Sequence, residues 1–310
     1  MTLAVMVTPL DMEKKRIRRL MKKRLRALSP TSITTQSTHI VSHALRVLSQ
    51  QSLLLSPLSP FGSSDVTEAS PSLSSYSVRA TPTALASHYD APHRSFFGVS
   101  VFASSALEVQ TAGILHALSN SETLQLFVPH VTEGAVPPAM EMVLVSSPEA
   151  LSRMVPNKWG IPEPPLEFTI AKEMTTSTSL GSTIVPTQQK ATLASPSDID
   201  VILVPGVVFD PSGGRCGHGM GYYDRFIACV CAARTKQMLP PPILIGVALT
   251  EQIQEKVPMD KHDFRMDMII TAQGTIVVES SMVPSGARSA ATIQKIYEHR
   301  HRQQQQQQQQ

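Results

Sequence analysis

Cysteine is scarce in this chain: Cys216, Cys229 and Cys231 are all that 310 residues contain. Three thiols cannot build a disulfide scaffold, and no C-x-x-C pair occurs to suggest a redox or zinc motif. A reducing compartment follows, so the expectation is cytoplasmic, with a mitochondrial form left open. Net charge is small, +3, and does not give the basic surface of a nucleic-acid binder. No unbroken apolar run approaches the ~18 residues that cross a bilayer, which argues against a membrane role. Two phosphate fingerprints are also missing, since neither G-x-x-x-x-G-K-[ST] nor G-x-G-x-x-G occurs. The arginine-rich start carries Asp11 and Glu13, unlike the acid-poor transit peptides it superficially resembles.

What is present suffices for one large or two modest domains. We read one domain over 11–279, interrupted at about 50–95 and 164–197 by stretches dense in Ser, Pro and Thr that are expected to stay mobile. A polar tail, 280–310, ends in the tract Gln303 to Gln310. The spacing predicts a helix over Asp11–Leu28, with Asp11 at its N-cap and Ile17, Leu20, Met21, Leu25 and Leu28 on one face, and a second over Thr34–Leu48. Strands are expected at Phe96–Phe102, Leu124–Val128, Met142–Val145, Val201–Val204, Ile243–Ala248 and Met268–Ile270, and further helices at Glu108–Leu118, Pro148–Val155 and Tyr222–Lys236. This alternation predicts an α/β fold, a mostly parallel sheet with helices on both faces. Ligands of such sheets sit beyond the carboxyl ends of the strands, where the Ala103–Glu108 and Pro205–Gly221 loops would lie. A monomer is expected.

The densest signal is VPGVVFDPSGGRCGHGMGYYDRF, Val204 to Phe226. A short β-branched run ends at Pro205-Gly206, and a stretch free of Gly and Pro begins at Tyr222. Five glycines lie between them: Gly213, Gly214, Gly217, Gly219 and Gly221. Such a loop turns backbone N–H groups toward an anion at a helix N-terminus. A plain glycine hairpin is the alternative. Asp210 before the loop, Arg215 inside it and Tyr222-Tyr223-Asp224 after it favour phosphate with magnesium, because a guanidinium fork and a carboxylate then flank the backbone donors.

The string PG-x-x-FD-x-x-G-x-R-x-G-x-G-x-GYYD resembles the signature of the 5-formyltetrahydrofolate cyclo-ligase (methenyltetrahydrofolate synthetase) family. Further matches follow in the family's order: KKRIRRLMKKRLRALS, EVQT from Glu108, MEMVLV from Met140, KWGIPEP from Lys158 and QIQEKVPMDKHDFRMD from Gln252. The resemblance implies a ligase that uses ATP and Mg2+ to close 5-formyltetrahydrofolate into 5,10-methenyltetrahydrofolate. It implies that Lys14 and Arg18 reach the nucleotide, together with Gly214, Arg215, Gly217, Gly219, Gly221, Tyr222, Tyr223 and Asp224. Arg215 and Lys14 are the implied catalytic groups. Folate contacts are implied at Glu108, Trp159, Gly219, Tyr222 and Tyr223, and magnesium at Asp224 and Asp267, with Asp210 behind them and Asp263 fixing a turn.

Each assignment has a plainer rival. Most of the basic residues from Lys14 to Arg26 fit a solvated helix face. Glu108 fits a carboxylate favoured by a helix dipole, and a lone tryptophan is more often core than platform. Cys216-x-His218 with Cys229-x-Cys231 does not have zinc spacing. Cys216 departs from the family's usual leucine. Where relatives set a basic group near 218 or 220 to assist phosphate, His218 would do so only in part. A catalytically silent folate or protein binder on the same fold, and another ATP-dependent transferase or ligase, remain the competing functions.

Overall fold

Four apolar runs form the middle of the molecule. β1 (Phe97–Ser100), β8 (Val201–Val204), β11 (Ile243–Val247) and β12 (Met268–Thr271) are buried at every residue. Strands covered on both faces need no polar alternation, which is why these runs read as continuous. The structure is a computed structural model and describes residues 8–55, 96–132, 139–174, 183–239 and 241–278. The expected 280–310 tail and most of the 50–95 insertion lie outside the described residues.

In chain order, α1 (Pro9–Arg26) and α2 (Pro30–Leu55) precede β1, and α3 (Ala112–Ser119) leads to β2 (Leu124–Thr132) and β3 (Ala139–Val145). Next come α4 (Pro148–Ser152), the short strands β4 (Val155–Pro156) and β5 (Pro162–Glu163), and β6 (Glu167–Met174) with β7 (Thr183–Lys190). After β8, β9 (Val208–Phe209) and β10 (Arg215–Cys216) bracket a tight loop, and α5 (Tyr222–Lys236) returns to β11, β12 and β13 (Gly274–Val277). The main sheet has the order β13-β12-β11-β8-β1-β2-β3. Its five inner strands are parallel, and antiparallel β3 and β13 close the edges.

Alternate residues of each strand feed two cores. Val201 and Leu203 pack with Met21, Leu25, Ile40, Ile114 and Leu118 of α1, α2 and α3. Ile202 and Val204 pack with Phe226, Ile227 and Val230 of α5. The expected α/β sheet with helices on both faces is therefore the observed architecture.

Local differences from the sequence reading have local causes. Thr8, not Asp11, caps α1: its hydroxyl accepts from Asp11 N–H while Asp11 accepts from Thr8 N–H, a capping box with Asp11 at the third position. Leu20 is exposed rather than on the apolar face. α2 runs past both expected ends, starting at Pro30 with Ser29 accepting from Ser32 N–H. The expected helix from Glu108 starts only at Ala112, because Glu108 accepts from Ser105 N–H and Thr111 donates to the Phe102 carbonyl, committing 105–111 to turns. The 164–197 insertion, expected as mobile loop, contains the antiparallel ribbon β6/β7. Its segments EFTIAKEM and TIVPTQQK carry enough β-branched residues for strands despite the polar surroundings.

Candidate active site

Two loops leave the carboxyl ends of adjacent parallel strands, 101–111 after β1 and 205–221 after β8, and they meet. His218 Nε2 lies 3.2 Å from Glu108 Oε1.

Asp210 organises the second loop. Its carboxylate accepts from Ser212 N–H (2.8 Å), the Ser212 hydroxyl (2.6 Å), Gly214 N–H (3.0 Å) and Val257 N–H (2.7 Å). A Cβ on Gly214 would stand 2.3 Å from Asp210 Oδ2, so the close approach requires glycine. Burial pushes the Asp210 carboxyl up, but these hydrogen bonds outweigh it and hold the group below its ordinary value. A carboxylate lowered on folding adds stability above its unfolded pKa and loses it as pH falls through the folded one. Asp210→Asn should therefore lower stability at neutral pH, and the gap to wild type should narrow in acid. Urea melts across that range are the check, and a gap independent of pH would mean that the loop does not use the charge.

Arg215, buried, is aimed by this loop. Its guanidinium donates to Asp224 Oδ1 at 2.7 Å and to the Pro205 carbonyl at 3.2 Å. Arg18 reaches in from α1, donating from Nε to the Gly217 carbonyl at 2.7 Å, and its guanidinium faces Gly219, which has φ +103°. Lys14 is buried and paired with Asp263, which also accepts from Asp260 N–H. Cys216 is buried among Lys14, Arg18 and Arg215. Burial raises its thiol pKa despite those charges, so it stays protonated. Three cations thus line one short backbone segment, the electrostatics an oligophosphate needs.

Among the described residues, two buried side-chain donors have no partner: Arg215 Nε and the Tyr223 hydroxyl. Burial, reinforced by the Glu108 charge and opposed by Arg215, pushes the Tyr223 pKa up and keeps it a neutral donor. Glu108 is held below its ordinary value. Burial opposes this, but hydrogen bonds from His218 and Ser105 prevail.

Trp159 stands at the rim, 48% exposed, with its ring edge-on to Tyr222 at 6.5 Å. Asn157 braces its loop by accepting from Trp159 N–H and Ile161 N–H and donating to Glu163. Gly221, at φ +67°, supplies the left-handed turn into α5.

The structure thus brings Arg18, Arg215, Gly217, Gly219, Glu108, Tyr222, Asp224 and Trp159 into one connected region. Asp267 precedes β12, and its carboxylate accepts from Leu244 N–H at 2.8 Å, tying the amino ends of β11 and β12. Among the described residues no cluster of three or more His, Cys, Asp or Glu side chains forms a metal site. Asp210, expected behind the metal, is spent on the loop backbone. Cys229 is exposed and Cys231 buried, on different faces of α5. Gln252 carries no motif by itself, yet it is buried and donates to the carbonyls of Gly206 and Val207, fixing the start of the loop. Its place in the matched QIQEKVPMDKHDFRMD string was the available signal.

A family model described as the 5-formyltetrahydrofolate cyclo-ligase family matches residues 85–272, more than half of the chain. The chain belongs to the 5-formyltetrahydrofolate cyclo-ligase family. A probable 5-formyltetrahydrofolate cyclo-ligase of Caenorhabditis elegans is 32% identical over 185 residues, 59% of this chain and 76% of that protein. The 5-formyltetrahydrofolate cyclo-ligase of Mus musculus is 27% identical over 173 residues, 56% and 71% of the two chains. The solved structure of 5,10-methenyltetrahydrofolate synthetase from Aquifex aeolicus superposes with a TM-score of 0.52, covering 89% of this chain and 99% of its own at 19% identity. That likeness shows a shared fold. Among the described residues, no helix is long and apolar enough to cross a membrane.

Proposed function

We propose that the chain catalyses the ATP- and Mg2+-dependent cyclisation of 5-formyltetrahydrofolate to 5,10-methenyltetrahydrofolate. The observation that carries the reading is the pair of orphaned buried donors, Arg215 Nε and the Tyr223 hydroxyl, behind a glycine loop lined by cations. A buried donor left without a partner costs about 1–3 kcal/mol, a cost that a bound anion or carbonyl oxygen removes.

The chemistry suits such a site. A formamide is a poor electrophile and its oxygen a poor leaving group. In this reading the formyl oxygen takes the terminal phosphoryl group with release of ADP, the neighbouring N–H nitrogen attacks the activated carbon and loses its proton, and phosphate leaves with the former formyl oxygen to give the methenyl ring. Lys14, Arg18 and Arg215 would hold phosphate oxygens, Lys14 by exchanging Asp263 for the nucleotide. Gly214, Gly217, Gly219 and Gly221 let the backbone come close, and Tyr223 would donate within the buried part of the site. Catalysis is then positioning and charge stabilisation rather than nucleophilic attack by a side chain. Glu108 would accept from the pterin amino and ring N–H groups, and Trp159 with Tyr222 would cover the flat heterocycle.

Magnesium bound to nucleotide phosphates needs one or two protein carboxylates. Asp224 would serve after sharing or releasing Arg215, and Asp267, next to Met266, whose N–H bonds the Gly213 carbonyl of the loop at 2.8 Å, would supply the second. When bound, the metal would neutralise phosphate charge. A cytoplasmic monomer without nucleic-acid or membrane partners completes the proposal.

Purified protein given 5-formyltetrahydrofolate and MgATP should form the methenyl product, detected by its absorbance, with one ADP and one phosphate per turnover. ATP left unconsumed, or consumed equally without folate, would remove the cyclo-ligase reading.

A further inference from the structure

His218 has no role in the chemistry above, yet it makes the contact that joins the two site loops. Its Nε2 lies 3.2 Å from Glu108 Oε1, while Glu108 Oε2 accepts Ser105 N–H at 2.9 Å. Each oxygen of the carboxylate therefore already accepts one bond before any ligand arrives. A heterocycle presenting two N–H donors side by side needs both oxygens, and at Oε1 it meets His218. Ser105 belongs to the same turn as Glu108 and cannot withdraw without remodelling it. His218 can.

Exposure and backbone agree on which partner yields. The His218 side chain is 52% exposed and that of Glu108 12%, so the imidazole lies on the solvent side of the carboxylate and a ligand entering from solvent meets it first. His218 sits between Gly217 and Gly219, and Gly219 occupies the positive-φ region open to glycine. A half-exposed pair of this kind is weak enough to open under ligand binding.

From this geometry we infer that His218 is a built-in competitor for the folate heterocycle, a latch that occupies Glu108 in the free protein and must swing away before the substrate takes its place. The inference rests on the reading of Glu108 as the folate contact. Removing the latch should tighten substrate binding rather than weaken it, the reverse of what a binding residue does.

The test is equilibrium binding of 5-formyltetrahydrofolate, without nucleotide and at one fixed pH, to the full chain and to His218→Ala, His218→Gln, Glu108→Gln and the Glu108→Gln/His218→Ala double variant. His218→Ala should bind about 3–10-fold tighter than wild type, the worth of one hydrogen bond no longer displaced. His218→Gln, which keeps a donor, should stay near wild type, and the double variant should bind no tighter than Glu108→Gln. Unchanged or weaker binding by His218→Ala overturns the competitor role while leaving the folate reading intact. Amide hydrogen exchange in the Gly217–Met220 segment reports on the latch without any ligand and should speed several-fold in Glu108→Gln, with little further change in the double variant. Unchanged exchange overturns the latch even if folate binds. Faster exchange with no folate binding by any variant removes the competitor role together with the folate reading.

Discussion

Arg215→Ala should cost roughly 2–4 kcal/mol of transition-state stabilisation, measured as the fall in kcat/KM at saturating magnesium, the value of one preorganised charged contact in a water-poor site. The sequence places Arg215 on a polar loop and so suggests that folding would hardly notice the loss. The structure alters that expectation. Arg215 is buried and donates to Asp224 and to the Pro205 carbonyl, so the alanine variant leaves a carboxylate and a carbonyl without their donor, and melting should fall as well. Arg215→Lys separates the two effects. A lysine keeps the charge but cannot donate through a planar fork to two acceptors while leaving a third N–H for the ligand. It should recover more of the stability than of the activity. Near-wild-type turnover in both variants would put the phosphate site elsewhere.

Glu108→Gln should weaken folate by roughly 1.5–3 kcal/mol, the range for a hydrogen bond to a charged group, and leave ATP affinity unchanged. Glutamine keeps the size and one acceptor oxygen but brings an NH2 where the pterin also donates. It also loosens His218, which offsets part of the loss, so the effect is read most cleanly against His218→Ala. Calorimetric titrations with each ligand separate the roles. Equal weakening of folate and ATP would mean that Glu108 only shapes the loop, for which its bond to Ser105 N–H is already a means.

Much of the site was legible because its chemistry is packed into one continuous string. Five glycines, one arginine and an aspartate between a strand and a helix can be recognised locally, and in the structure Arg215, Asp224 and the glycines do share one turn of chain. The runs Val201–Val204 and Tyr222–Lys236 could be read to the residue because an all-apolar strand and a Gly- and Pro-free helix have sharp ends. The contact of Asp267 was not legible, for the converse reason. A carboxylate before a strand looks the same in sequence whether it faces the ligand or ties down a neighbouring N–H, and only the register of β11 against β12 sets it on Leu244. Glu108 looked like the first residue of a helix because nothing in EVQT reveals that Thr111 bonds back to Phe102.

The sequence alone determined the fold class, the family and the glycine loop, since period, composition and contiguous motifs are properties of neighbours along the chain. Tertiary structure decided which charges meet. Lys14 with Asp263, Arg18 with Gly217 and Glu108 with His218 are separated by 249, 199 and 110 positions. No local pattern encodes such pairs, because they exist only once the parallel strands have brought distant loops to one edge of the sheet.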